Sequence, residues 1–275
     1  MGLNIASFGS SLVPAYWNGA ATYYRGILRA LHARGHRSVF YEPDAYGRQQ
    51  HRDIEDPEYA RVVVYEGEDG ARRALEEAVS ADLVVKASGV GVFDELLESA
   101  VLAQRRAGQL VVFWDVDAPA TLPHVLASPG DPFRALIPRY DAILTYGGGP
   151  PVVQRYRALG ARRCVPIYNA LDPTTHQPGA ADPAFEADLG FLGNRLPDRE
   201  ERVQRFFFDV AERLPERSFV LGGSGWDDKP KPRNVRYVGH VYTHQHNSFN
   251  ASVAAVLKVS RDSMAEVGYS PATRV

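Results

Sequence analysis

Short apolar runs alternate with amphipathic stretches along the whole chain. Residues 3–8, 38–41, 61–65, 82–86, 110–114, 141–145 and 163–166 are each long enough for one strand. Several are nearly all apolar and rich in Val rather than strictly alternating. Helical spacing at 20–34, 70–79 and 93–106 falls between them. Continuous apolar strands separated by amphipathic helices suit a parallel sheet covered on both faces. A second series follows, with strands at 187–193, 219–222, 235–238 and 254–259 and a helix at 198–214.

Between the two series lies Pro166-Ile167-Tyr168-Asn169-Ala170-Leu171-Asp172-Pro173, followed by a Pro/Gly/Ala-rich run to Pro183. This composition marks a hinge that few contacts should cross. The expected division is a first α/β domain over 1–167, a linker over 168–184 and a second α/β domain over 185–275. About 90 residues follow Asp182, where a complete nucleotide-binding half takes roughly 150. The second domain therefore reads as incomplete, with the strands at Phe219 and Ala254 expected to lack neighbours. The polar segment 46–59 reads as an excursion between strands, either a mobile loop or a short helix.

Composition narrows the function classes. The chain has 275 residues, 45% hydrophobic and 23% charged, with 31 basic against 33 acidic side chains. That balance leaves no electrostatic footprint for nucleic acid or an anionic membrane. No apolar run approaches the roughly 20 residues of a membrane span, and residues 3–8 lack the basic flank of a secretion signal. The single cysteine, Cys164, lies inside an apolar strand and reads as a small buried hydrophobe. These features predict a cytoplasmic protein.

In an open parallel sheet, ligands sit beyond the carboxyl ends of the strands. Gly9-Ser10-Ser11 follows the first strand, and Asn18-Gly19 precedes the first helix, an arrangement that can approach a phosphate or carboxylate or can serve as a plain capped turn. Lys86 ends the fourth strand, either facing a ligand or snorkelling to solvent. Asp115 and Asp117 stand at i and i+2 and share a face if the strand persists, which would offer a base and an acceptor; either could instead cap the next turn. Tyr146-Gly147-Gly148-Gly149 reads as a mobile loop with free amides, suited to a ligand and equally typical of a connector.

In the second series, Gly193-Asn194-Arg195 ends a strand with a guanidinium beside backbone amides, a good pyrophosphate site unless Arg195 pairs with Asp198 or Glu201. Gly222-Gly223-Ser224-Gly225-Trp226 offers a ring that either stacks on a base or belongs to the core. His240, His244 and His246 lack Cys or carboxylate partners at ligand spacing, so no metal site is predicted. The fingerprint G-x-G-x-x-G is absent after the first strand, which disfavours a nicotinamide-dependent oxidoreductase.

Five segments together carry a resemblance. Ile5-Ala6-Ser7-Phe8-Gly9-Ser10-Ser11, Trp114-Asp115-Val116-Asp117-Ala118-Pro119, Tyr168-Asn169-Ala170-Leu171-Asp172-Pro173, Gly190-Phe191-Leu192-Gly193-Asn194-Arg195 and Tyr269-Ser270-Pro271-Ala272-Thr273-Arg274 resemble the CgeB-like, spore-maturation-type branch of the GT-B glycosyltransferases. The resemblance implies two Rossmann-like domains facing across a cleft, with the acceptor held by the first and a nucleotide-diphosphate sugar, used as co-substrate, by the second. It implies no metal and no other cofactor. Gly193, Asn194 and Arg195 would hold the diphosphate, while Arg261, Ser270 and Arg274 would line the donor side. Asp115 or Asp117 would be the candidate base, with Gly9, Ser10, Asn18, Gly19 and Lys86 on the acceptor side. Relatives continue past Arg274-Val275 with a Glu that binds the ribose, so the resemblance further implies a truncated donor domain with impaired activity. The alternative is a non-catalytic nucleotide-binding or partner-binding α/β module, its unfinished edge covered by another chain or copy.

Overall fold

Seven of the apolar runs pair into one all-parallel sheet. In the computed structural model, which describes residues 2–271, these are β1 (Asn4–Phe8), β2 (Arg37–Pro43), β3 (Arg61–Tyr65), β4 (Leu83–Ala87), β5 (Leu110–Asp115), β6 (Ala142–Thr145) and β7 (Cys164–Pro166), in the order β3-β2-β1-β4-β5-β6-β7. The strand order reverses between β1 and β4, whose ends are in register at Phe8 and Lys86. A crevice at such a switch point is where open α/β sheets bind ligands.

The two faces are covered unequally. Helix α1 (Ala21–His32) lies over the face that carries Ile5, Phe40, Val85, Val112 and Trp114. The opposite face, with Ala6, Phe8, Val84, Val111 and Phe113, packs against α2 (Gly67–Ala78), α3 (Asp94–Ala103), α4 (Ala118–Ala127), α5 (Pro132–Leu136) and α6 (Gly149–Ala158). Helix α2 shows why: Ala71, Ala74, Leu75 and Ala78 form one buried stripe, and Glu68 and Asp69 favour its amino-terminal turn. On the less covered face, Leu31, Leu83, Leu110, Val112 and Leu144 line a groove of about 390 Å³.

The second unit holds β8 (Ala187–Leu192), β9 (Phe219–Gly222), β10 (Val235–Tyr237) and β11 (Val253–Leu257), again all parallel, in the order β10-β9-β8-β11. The strand at Phe219 therefore does not lack neighbours; it is flanked by β8 and β10. Among the described residues the strand around Ala254 is an edge, paired with β8. The predicted helix 198–214 forms as α7 (Pro197–Val203), a wider turn over Gln204–Phe208 and α8 (Asp209–Arg213). Val203, Phe207, Phe208, Ala211 and Trp226 make its core. Helices α9 (His246–Ala251) and α10 (Asp262–Val267) follow along the chain.

The boundaries follow hydrogen bonds rather than composition. The compact units are 2–170 with 267–271, and 171–266. Much of the Pro/Gly-rich segment is tied to the second unit: Asn247 donates to the Thr175 carbonyl at 3.0 Å and accepts from the Gln177 amide, and the Asp182 amide donates to Ser252 Oγ at 2.7 Å. Conversely, Val267 packs on the first unit's core, and the Tyr269 carbonyl accepts from the Gly148 amide at 3.0 Å. The glycines there are needed for close approach, since a Cβ on Gly149 would lie 2.7 Å from the Tyr269 ring.

The polar excursion is ordered. It contains a single short helical turn, Arg48–His51, and Asp53 reaches back to Arg25 on α1 at 2.7 Å, both side chains buried. Tyr16 stacks on His51 with ring centroids 3.9 Å apart. Breaking a buried pair by removing one partner strands a charge, so Asp53→Ala should lower stability by about 3–5 kcal/mol in urea unfolding.

Candidate functional site

The first site candidate lies at the carboxyl ends of β1, β4, β5 and β6. Beyond β1 the chain must turn sharply, and Gly9 is required because a Cβ there would sit 2.4 Å from the Phe40 ring. The following loop is fastened from several sides. Arg25 donates to the Leu12 and Val13 carbonyls at 2.7 and 2.6 Å, and the buried Glu42 carboxylate accepts from the Leu12 amide and Gln49. Burial raises the Glu42 pKa, opposed by those hydrogen bonds. Asn18 donates to Ser11 and accepts from the Ala20 amide at 3.0 Å, so it organises the entry to α1. Ser10 is buried, while Gly19 has open space around it.

Asp115 differs from the sequence expectation. The strand ends at Asp115, so Asp117 does not continue the same face; its own amide folds back to Asp115 Oδ1 at 3.0 Å. Asp115 is fully buried and also accepts from Ser88 Oγ at 2.8 Å, Thr121 Oγ1 at 3.0 Å and the Tyr156 hydroxyl. It joins β4, β5, α4 and α6 and has no open side for a substrate proton. Burial raises its pKa and the four hydrogen bonds oppose the rise. Half-buried Asp117 stands immediately before α4.

Lys86 is likewise not an exposed strand-end cation. Its Nζ is buried, donates to Asp94 at 2.6 Å and to the Ala87 carbonyl at 2.7 Å, and lies 3.8 Å from Glu98. Burial pushes Glu98 up to about 7 despite the Lys86 charge.

In the second unit the strand order reverses between β8 and β11, and the predicted residues Gly193, Asn194, Arg195 and Arg261 lie beyond those strands. Gly193 and Asn194 brace the neighbouring loop: Trp226 Nε1 donates to the Gly193 carbonyl at 2.8 Å, and Asn194 Oδ1 accepts from the Ser224 amide at 2.9 Å. Gly223, at φ +119°, must be glycine because a Cβ would fall 2.3 Å from the Gly193 carbonyl oxygen. Trp226 is therefore a fully buried strut rather than a stacking platform.

Arg195 is committed, though not to the partners expected. It forms two bonds to Glu200 at 2.8 and 2.9 Å and one to Asp228 at 2.9 Å, and the Glu200 bonds in particular raise its pKa. Arg261 donates to Asp198 at 2.6 Å. The Ser224 hydroxyl, which sequence reasoning passed over, is buried without a hydrogen-bond partner at the end of β9. Ser270 belongs to the first unit, beside Gly147, and Arg274 lies outside the described residues. Among the described residues no group of three or more His, Cys, Asp or Glu is placed to hold a metal, and no helix is long and apolar enough to cross a membrane.

Two measurements check these assignments. Asp115→Ala would strand several buried donors and should cost about 3–5 kcal/mol in denaturant unfolding, whereas Asp117→Ala should cost under about 1 kcal/mol. For Glu98, whose folded pKa of about 7 exceeds the ordinary 4.5, stability is fully present below pH 4.5 and falls as pH rises to 7. Glu98→Gln should flatten thermal melts across that window and raise stability by up to about 3 kcal/mol at pH 8.

Residues 199–275 match a family described as glycosyl transferase-like. No curated protein matches the chain. Among solved structures, sucrose-phosphate synthase from Thermosynechococcus elongatus is similar with a TM-score of 0.63 and 13% identity, over 92% of this chain and 74% of that one. An α-glucosyltransferase in complex with UDP gives 0.63 and 11%, over 93% and 73%. UGT89C1 from Arabidopsis thaliana, complexed with quercetin, gives 0.53 and 11%, over 93% and 74%. The chain thus has the Rossmann-like α/β fold of the GT-B glycosyltransferases, and its residues 199–275 carry the pattern of a glycosyl transferase-like family.

Proposed function

We propose that this protein is a glycosyltransferase that moves a sugar from a nucleotide-diphosphate sugar to an acceptor hydroxyl. The observation that carries this reading is the glycosyl transferase-like match over residues 199–275, which includes the Gly-rich loop after β9 with the unpartnered Ser224 hydroxyl. The strand ends of the second unit would hold the donor and those of the first the acceptor. In the transfer, the bond between the anomeric carbon and the diphosphate oxygen breaks, a bond to the acceptor oxygen forms, and the acceptor proton passes to a base. Asp117 is the better-placed of the two predicted carboxylates, because Asp115 is fully occupied. Donor phosphates would be neutralised by side-chain cations without a metal, Arg195 and Arg261 exchanging their present carboxylate partners for the phosphates. A cytoplasmic, CgeB-like enzyme is the finer form of this reading, supported by the five ordered motifs.

UDP-bound glycosyltransferases among the similar structures make UDP the first ligand to try. Isothermal titration of the chain with UDP, GDP and dTDP should give saturable heat with one of them. Ser224→Ala should weaken that binding about 3–10-fold while leaving the melting temperature nearly unchanged, since its hydroxyl has no partner to lose. Binding without any sugar transfer or donor hydrolysis would favour a non-catalytic nucleotide-binding module. No heat from any nucleotide would overturn both.

A further inference from the structure

The excursion between β2 and β3 brings a buried cation to the switch point of the first sheet. Arg48 is 7% exposed. Its Nη1 donates to the carbonyls of Ser10, just past β1, and Val90, just past β4, at 3.2 and 3.4 Å, and its guanidinium lies 5.0 Å from the centre of the Tyr46 ring. The group therefore bridges the two strand ends between which the order reverses.

Arg48 is also incompletely compensated: the Glu42 carboxylate acts on it through space but forms no ion pair with it. Among the described residues no carboxylate lies within ion-pair distance of it, and its Nε is buried with no hydrogen-bond partner. The nearby acids are engaged elsewhere. Glu42 accepts from Leu12 and Gln49, and Asp94 accepts from Lys86 and from the Val90 and Gly91 amides. A desolvated guanidinium with an unused N–H costs stability unless an anion completes it. Its fork geometry suits a carboxylate or phosphate.

We propose that Arg48 is an anion subsite in the first unit, so that the acceptor carries a carboxylate or phosphate beside the hydroxyl that is glycosylated. This rests on the glycosyltransferase reading for the word acceptor, but not for the anion site itself. The segment 46–53 supplies the subsite as a unit: the Tyr46 hydroxyl donates to the Gly91 carbonyl at 2.6 Å, and Asp53 anchors the far end to Arg25.

The test is residue-resolved. The 15N-labelled chain is titrated with inorganic phosphate and, separately, with acetate. The Arg48 Nε–H signal and the amides of Ser10 and Gly91 should shift saturably with one shared dissociation constant. Arg48→Met should weaken binding at least 10-fold, and Arg48→Lys, which keeps the charge, should retain part of it. A response to phosphate alone assigns a phosphorylated acceptor, and a response to acetate as well admits a carboxylate. Absence of saturable shifts at these positions in the wild type overturns the subsite whether or not Arg48→Met folds, as does equal affinity in the variants. UDP titration of the same sample reads the second unit independently. Loss of the nucleotide response with an intact Arg48 response would remove the glycosyltransferase reading and leave the anion site.

Discussion

A buried ion pair between α1 and the β2–β3 excursion holds the first unit's ligand end together. Arg25 uses its guanidinium to bind two carbonyls of the loop after β1 and the Asp53 carboxylate at once. Taking both charges out of water is costly, and the return comes from the hydrogen bonds that complete the pair. Asp53 in turn accepts from the Ala15 amide at 3.1 Å, so the β1 loop is gripped along its length. With the far end of the excursion fixed in this way, the short turn at Arg48–His51 can set its side chains over the ends of β1 and β4.

The sheet architecture was legible because burial on both faces leaves strands little choice but continuous apolar sequence. All eleven runs became strands, including the three-residue β7 and β10. What stayed hidden was long-range pairing of polar residues. The segment 46–59 carries no apolar period, and its order comes from partners such as Arg25 and Ser10, 28 and 38 positions away. The Asp115 and Asp117 pair was visible, but not that the strand ends between them or that Tyr156, 41 residues on, would occupy the first carboxylate. Arg195 invited an anion-binding reading from its local motif, while Asp228, 33 residues later, claims one of its nitrogens.

Contacts made by the Pro/Gly-rich segment were hidden for a related reason. Pro and Gly reported where the chain cannot continue a helix or strand, not where it stops making contacts. Asp172 illustrates the difference: its carboxylate accepts from the Thr174 amide and hydroxyl at 3.0 and 2.7 Å, so the supposed linker begins as a tightly bonded turn. In both units, glycine marks close packing of backbones and side chains more than mobility, as at Gly9 against Phe40 and Gly223 against Gly193.

The segment that closes over Gly147, Gly148 and Gly149 belongs to the first unit but is made well after the rest of it. Roughly a hundred residues separate it from residue 170, which at about 5–20 residues per second of synthesis is a delay of about 5–20 s. Through that interval the nascent first unit holds its glycine loop without Tyr269, and the Gly148 amide must turn to water. Completion of the first unit is thereby timed by translation of residues 171–266.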